Sequence, residues 1–186
     1  MSLGFSNNNP GNLAKTSDNW EGATGVTYKT GDGNDNVQFQ DMVFGLRALM
    51  TVIDNKIEKD GLSNMLDLIK SYAPNANGLD YRYVISKYLP YGFNYDNIDP
   101  TDENIGNIAK GIVENEIPEW NQINEDIWST ALNYYKGGSH TYNPDYDARD
   151  IKANSPANTS ASFAPIFILL GLIAAGVMFF KKKING

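Results

Sequence analysis

Cysteine is absent from this chain of 186 residues, and histidine occurs once, at His140. Without cysteine there is no disulfide framework and no thiolate chemistry. The one histidine falls in a polar stretch that reads as linker. That removes Ser-His-Asp and Cys-His catalysis and any His-rich zinc site, zinc peptidases included. No metal and no cofactor is expected. Positive charge is also scarce. Lys and Arg number 15 against 22 Asp and Glu, the net charge is −7 and the pI is near 4.6, which argues against a nucleic-acid partner. The opening residues MSLGFSNNN carry neither a basic stretch nor an apolar run, so no signal peptide is expected. The side chains left for chemistry are carboxylates, Tyr, Asn and Lys.

One stretch of the chain joins a strong helix pattern to a carboxylate. Residues 99–116 read DPTDENIGNIAKGIVENE. Asp99 or Thr101 can cap the start, Pro100 suits a first helical position, and Asp102 and Glu103 favour the positive end of the helix dipole. Apolar residues then recur at Ile105, Ile108, Ala109, Ile112 and Val113, one face of a period-3.6 helix. The next position on that face is Glu116, while Glu114 points roughly the opposite way and reads as an ordinary solvated charge. Pro118 stops the helix. Burial against an apolar face is one way in which proteins keep a carboxyl protonated near neutral pH, able to serve as a general acid. The plain alternative is a helix-end glutamate with its head in water.

The rest of the chain is organised around further helices. Residues 1–40 are rich in Asn, Gly, Thr and Asp, with isolated aromatics at Phe5, Trp20, Tyr28 and Phe39. Strands are expected near Gly25–Thr30 and Val37–Phe39, forming a hairpin around the turn Gly31–Asp35. That turn, GDGND, resembles a fragment of a calcium loop but has neither the glutamate nor the flanking helices of one, so turn chemistry is the better reading. Helices are expected over 41–59, from a cap at Ser63 with Leu66, Ile69 and Ala73 inward, over Asp80–Leu89 with Tyr81, Val84, Ile85, Tyr88 and Leu89 on one side, and over Asn121–Tyr135. The class is α+β, mainly helical, with one domain over 1–136.

Residues 137–162 are polar and read as a flexible linker, with a reach on the order of 28 Å. Residues 163–180, FAPIFILLGLIAAGVMFF, are uncharged and precede three lysines. At about 1.5 Å per residue they reach roughly 27 Å, enough for a transmembrane helix. The basic tail 181–186 is expected on the inner side of the bilayer and the N-terminal domain outside. Gly171 and Ala175 could let two such helices approach, a weak signal.

A resemblance adds function to this frame. The segment SNNNPGNLAKTSDNWEG looks like the NNPGN segment that opens a family of phage-associated proteins described as virion or structural lysins. The likeness continues through Phe39, Gly45, Arg47, Ala48 and Leu49, through LIKSYAPNANGLDYRYVISKYL and through GIVENE, and covers about residues 4–135. A second likeness is to lysozyme-like lytic transglycosylases and glucosaminidases, in which a helix ends in a catalytic Glu. Those enzymes carry an Asn-Asn-x-x-Gly segment, a Trp-x-Gly hairpin and a Tyr-bearing helix after the Glu; here Asn8–Gly11, Trp20–Gly22 and the Tyr81 helix precede it. The chain therefore resembles a circularly permuted lysozyme-like domain, and permutation is reasonable because domain termini usually lie close together. It departs from the pattern at Ile117-Pro118, where the family has a small polar residue and Gly.

The resemblance implies Glu116 as the catalytic acid and Tyr81, rather than Tyr83, as the tyrosine beside it. It implies Asn9 and Asn12 at the cleft floor, as turn structure or as substrate contacts, and Trp20, Tyr28 and Tyr81 as aromatic faces for sugar rings. Glu21, Asp32 and Asp35 are the candidate second carboxylates. The expected activity is peptidoglycan glycan-strand cleavage, as a lytic transglycosylase or a muramidase-like glycosidase, by a membrane-anchored virion protein of a membrane-containing phage during entry. Expected partners are peptidoglycan glycan strands and a lipid bilayer, with other virion or capsid proteins as further candidates. The competing readings are a non-catalytic membrane-anchored structural or adhesion protein of lysozyme-like shape, and a cellular tail-anchored wall enzyme.

Overall fold

The computed structural model describes residues 1–28 and 35–148. The expected span at 163–180, its basic tail, most of the expected linker and Asp32 lie outside these residues. Among the described residues no helix is long and apolar enough to cross a membrane. The architecture is mixed α+β, about half helical, with one two-stranded sheet.

The element at the centre is not the Glu116 helix but α2, Met42–Glu58. Asp41 caps it, its Oδ1 accepting from the backbone N–H groups of Val43 and Phe44 at 3.0 and 3.3 Å. Past its end, Gly61 takes a φ of +72°, which costs glycine little. Leu46, Leu49, Met50 and Ile53 are fully buried, and α2 packs against elements on several sides. These are the strand β2 (Asp35–Phe39) and the helices α3 (Met65–Tyr72), α5 (Asp102–Glu116) and α6 (Glu125–Tyr135). The helix α4 (Gly78–Ser86) closes on α5 and α3. A helix that must present apolar groups all round reads less cleanly by periodicity than one with a single buried stripe.

The chain opens with a single helical turn, α1 (Leu3–Ser6), and then a turn of asparagines. Asn8 and Asn12 adopt left-handed backbone, φ +54° and +50°, a region that asparagine tolerates better than most side chains. The hairpin pairs β1 (Ala23–Tyr28) with β2, antiparallel, with an irregularity between Ala23 and Gly25. Residues 13–15 run along the other edge of β2, where the Val37 and Lys15 N–H groups donate to the Leu13 and Asp35 carbonyls.

Several boundaries differ from the periodicity reading, each for a local reason. The cap of α3 is Asn64 rather than Ser63, because the Ser63 carbonyl is engaged by the Ile98 N–H at 2.7 Å. The buried face of α3 is therefore Met65, Leu68 and Ile69 instead of Leu66, Ile69 and Ala73. Helix α4 stops at Ser86, and Lys87 and Tyr88 close as tight turns before Pro90. Thr101 caps α5, which leaves Pro100 outside the helix. The stretch before α6 is a separate 3₁₀ turn, Trp120–Gln122, and Asn124 starts the α-helix.

Residues 137–148, expected to belong to the linker, instead return along the domain and pack on it. His140 is only 6% exposed, with Nε2 2.9 Å from Oδ2 of fully buried Asp41. The Asn143 N–H donates to the same oxygen at 2.9 Å, and the Ala148 N–H donates to Asn8 Oδ1 at 2.7 Å. The His140 ring packs on Phe44 at 4.9 Å between centroids and stacks on Tyr146 at 6.3 Å. The stretch reads as solvated because its residues are polar on average. Its few rings and one buried acceptor on another element hold it instead.

Asp41 thus serves α2 and the returning segment together. Replacing it in Asp41→Ala removes the helix cap and leaves the partners of Oδ2 without an acceptor. The expected cost is about 3 kcal/mol or more of unfolding free energy, read by chemical denaturation. His140→Ala should open residues 137–148 to limited proteolysis. Unchanged melting and unchanged protease resistance would show that this contact does not hold the segment.

Candidate active site

Glu116 is the last residue of α5 and lies half-buried at the edge of a cleft of about 740 Å³. Its helix behaves as the periodicity reading expects: Ile105, Ile108, Ala109, Ile112 and Val113 are all buried. The carboxylate has a partner on each oxygen. Oε1 accepts from the Tyr81 hydroxyl at 2.8 Å, and Oε2 accepts from the Asn12 side-chain amide at 2.8 Å. Three segments that are far apart in the chain therefore meet at one carboxyl.

Tyr81 arrives on α4, which lies close against α5 because position 111 has no side chain. A Cβ at Gly111 would stand 2.4 Å from the Cα of Ile85, one helical turn after Tyr81. The Tyr81 phenol is buried. Its pKa is raised far above 10 by desolvation first, then by the charge of Glu116. It stays protonated and can only donate to the acid. Tyr83, by contrast, is 69% exposed.

Asn12 arrives on the asparagine turn. Tyr72 donates its hydroxyl to the Gly11 carbonyl, and a Cβ at Gly11 would meet that oxygen at 2.8 Å. Tyr72 is likewise held far above its ordinary pKa, by desolvation and then by Glu116, so this bond also keeps its proton. The turn is anchored below by Asn9. Its amide donates to the Leu13 and Val37 carbonyls at 2.9 Å and its oxygen accepts from the Leu13 N–H. Asn9 is fully buried and does not line the cleft. Of the two asparagines, Asn12 faces the acid and Asn9 builds the turn.

After Glu116 the chain goes straight into extended backbone. Ile117 has φ −133° and is 1% exposed. Its Cγ2 lies where a Cβ on Gly4 would need 2.9 Å, so α1 packs against it. Glu119 then accepts from the Ser2 N–H and hydroxyl, both at 2.7 Å. The resembled families place a small residue and Gly here. This chain uses a buried isoleucine and a carboxylate tether to hold the segment after the acid.

The remaining candidates divide. Trp20 is half-buried and lines the cleft, and its buried indole N–H has no partner among the described residues. Glu21 is exposed and interacts with Tyr134, outside the cleft lining; burial, then Glu21, pushes the Tyr134 hydroxyl up to about 12. Asp35 sits in β2, also outside the lining. Two charged lining residues were not singled out from the sequence, Asp18 and Lys56. Asp18 lies two residues before Trp20 in the TSDNW segment, a position that could have flagged it. Its Oδ2 accepts from the Thr16 hydroxyl at 2.6 Å, and its side chain is exposed.

Glu114 is not an ordinary solvated charge. Its oxygens accept from Lys87 Nζ and the Tyr88 hydroxyl, each at 2.6 Å, and its side chain is 15% exposed. Desolvation acts to raise its pKa, but the hydrogen bonds from Lys87 and Tyr88 outweigh it and hold it below the ordinary glutamate value. A lowered folded-state pKa contributes stability above the unfolded value, and that stability is lost as pH falls through the folded one. Denaturation of Glu114→Gln should therefore show a deficit against the parent at neutral pH that closes in acid. A deficit that persists unchanged below the glutamate range would show that the carboxylate is not what binds α4 to α5 there.

Gly111→Ala tests the approach of the two helices. The added methyl meets backbone, so α4 must move. The expected destabilisation is about 1–3 kcal/mol, with the Tyr81–Glu116 separation lengthened beyond hydrogen bonding in a crystal structure of the variant. Retention of both stability and the contact would show that the helices have room to spare.

Compared with protein-family models and with curated proteins, this chain matches neither a family nor an individual protein.

Proposed function

We propose that this chain cleaves the glycan strands of peptidoglycan, with Glu116 as the general acid, in a domain of circularly permuted lysozyme-like type. The observation that carries the reading is the Glu116 carboxyl at the edge of an open cleft, gripped by Tyr81 and Asn12 from two other segments. A pair of neutral donors on a carboxyl fixes its direction, which is what proton transfer to a bound oxygen needs. The cleft volume is in the range of sites that hold several sugar-sized groups. Trp20 offers an aromatic face in it.

In the proposed reaction Glu116 gives its proton to the oxygen that bridges two sugars, and the bond from that oxygen to the anomeric carbon breaks. The sugar cation left behind is captured in one of two ways. Its own primary hydroxyl attacks the anomeric carbon and returns a proton to Glu116, which leaves an anhydro end and needs no second carboxylate. Alternatively, water attacks and a second carboxylate takes the proton. Asp18, in the same cleft, is available for the second route.

The span expected at 163–180 and the polar stretch before it suit a tethered lysin on the membrane of a virion, acting on the host wall during entry. One observation favours the competing, non-catalytic reading of a membrane-anchored structural or adhesion protein. Both oxygens of Glu116 already have intramolecular partners, as they would if the contact served only to lock α5 to α4 and the asparagine turn.

The test is Glu116→Gln beside Glu114→Gln, assayed as turbidity loss of wall fragments, with product masses separating anhydro from hydrolysed ends. Glu116→Gln should lose at least about a hundredfold in rate, and Glu114→Gln, whose partners Lys87 and Tyr88 lie outside the cleft lining, should keep its rate wherever the variant remains folded. Equal activity of the Glu116 variant and the parent would remove the assignment.

A further inference from the structure

The cleft walls carry one cation. Among the cleft-lining residues the charged side chains are Asp18, Glu116 and Lys56, and only Lys56 is positive. It stands in the last turn of α2, and its Nζ donates to the Ser71 hydroxyl of α3 at 2.7 Å. That bond gives the ammonium one neutral acceptor and leaves two of its three protons for others. Three other lysines are matched to acids, Lys87 to Glu114, Lys110 to Glu125 and Lys136 to Asp102, while Lys15, Lys59 and Lys70, none of which lines the cleft, have no acid partner among the described residues. Among the described residues Lys56 likewise has no acid partner. Asn55 and Asn75 line the same cleft, and their amides add neutral donors of the kind that complete a carboxylate site.

The setting sharpens the point. The chain has a net charge of −7, so its field as a whole repels anions. An unmatched ammonium held in place in the wall of the cleft that Glu116 borders runs against that field. A neutral sugar polymer has no use for it. A glycan strand of peptidoglycan does, because every second sugar carries an acidic lactyl ether, either as the free carboxylate or extended by a peptide that ends in carboxylates.

We propose that Lys56, seconded by Asn55 and Asn75, is a subsite for the carboxylate of the bound glycan and makes the cleft select acid-bearing strands over neutral ones. The inference rests on the glycan-cleaving reading and names which sugars it takes. Lys56 acts on specificity, away from the carboxyl that would transfer the proton.

The experiment uses the full chain in detergent, in a Glu116→Gln background so that nothing is turned over, and measures binding by calorimetry. The probes are a tetrasaccharide of alternating N-acetylglucosamine and N-acetylmuramic acid, the same tetrasaccharide with its stem peptides, and the tetramer of N-acetylglucosamine. The acid-bearing probes should bind about tenfold more tightly than the neutral one, the weight of one charge-assisted hydrogen bond. The preference should shrink with added salt. Lys56→Gln should bring the three affinities together, and Lys56→Arg should restore the difference. Whether the free lactyl acid or the peptide-bearing probe responds more strongly to Lys56→Gln tells which carboxylate is read. Equal affinities in the parent, or a preference that survives Lys56→Gln, overturns the subsite and leaves the cleavage reading standing. A Lys56-dependent preference in a chain that fails to clear wall fragments overturns cleavage alone. Binding of none of the probes overturns both.

Discussion

The approach of the asparagine turn to α2 is the constraint on which the rest depends. At Gly45 the backbone carbonyl of Asn8 lies where any Cβ would have to stand, at 1.9 Å. Only glycine admits this contact. Because the turn lies directly on the central helix, Asn8 can bind the Phe39 and Gln40 carbonyls and Asn9 can bind that of Val37, which fastens the hairpin. The far end of the same turn projects Asn12 onto Glu116. One missing side chain on α2 thus sets the position of the sheet and of one partner of the acid. Gly111 does the corresponding service on α5 for the other partner, Tyr81.

The two carboxylates at the end of α5 show how far neighbouring residues can differ. Glu114 and Glu116 are two positions apart, so they leave the helix on different sides. Glu114 meets a lysine and a phenol and is an ionic tie between helices. Glu116 meets a phenol and an amide, both neutral donors, at the edge of a cleft. Neutral partners orient a carboxyl without committing a countercharge to it, and on the proposed reading that leaves Glu116 able to exchange a proton with a ligand. A cation in the place of Tyr81 would make it a second structural tie.

The charge distribution of the cleft extends the same logic. The one cation among its described lining residues is at a distance in the chain from the acid, on another helix, and is held by a hydroxyl. The proposed division is between a carboxyl that does chemistry, aromatic surface at Trp20 that meets sugar faces, and an ammonium that reads the acid on the strand. The returning segment with His140 takes no part in the cleft. It closes the opposite business of the domain, sealing Phe44 and Asp41 beneath aromatic rings.

Much of this was legible in the amino-acid sequence where the signal is local. The α5 stripe from Ile105 to Val113, the exit of Glu116 on that stripe, the stop at Pro118, the hairpin and the choice of Tyr81 over Tyr83 all follow from spacing, turn chemistry or a short resemblance. What the sequence left open lies in contacts between distant segments. Asn9 and Asn12 look alike in NNPGN, yet one is buried beneath the hairpin and the other meets an acid 104 residues away. Asp18 and Lys56 carry no local mark of a site, and His140 reads as linker, because periodicity reports which face of an element is apolar and says nothing of what covers it. The sequence by itself determined which helices form and which way their carboxylates leave them, since those depend on neighbours within a turn or two. Only the tertiary structure decided that α2 is the centre, that Lys56 and Glu116 share a cleft, and that Asp41 holds a histidine 99 residues on. Those juxtapositions are fixed by packing between elements, which no local spacing encodes.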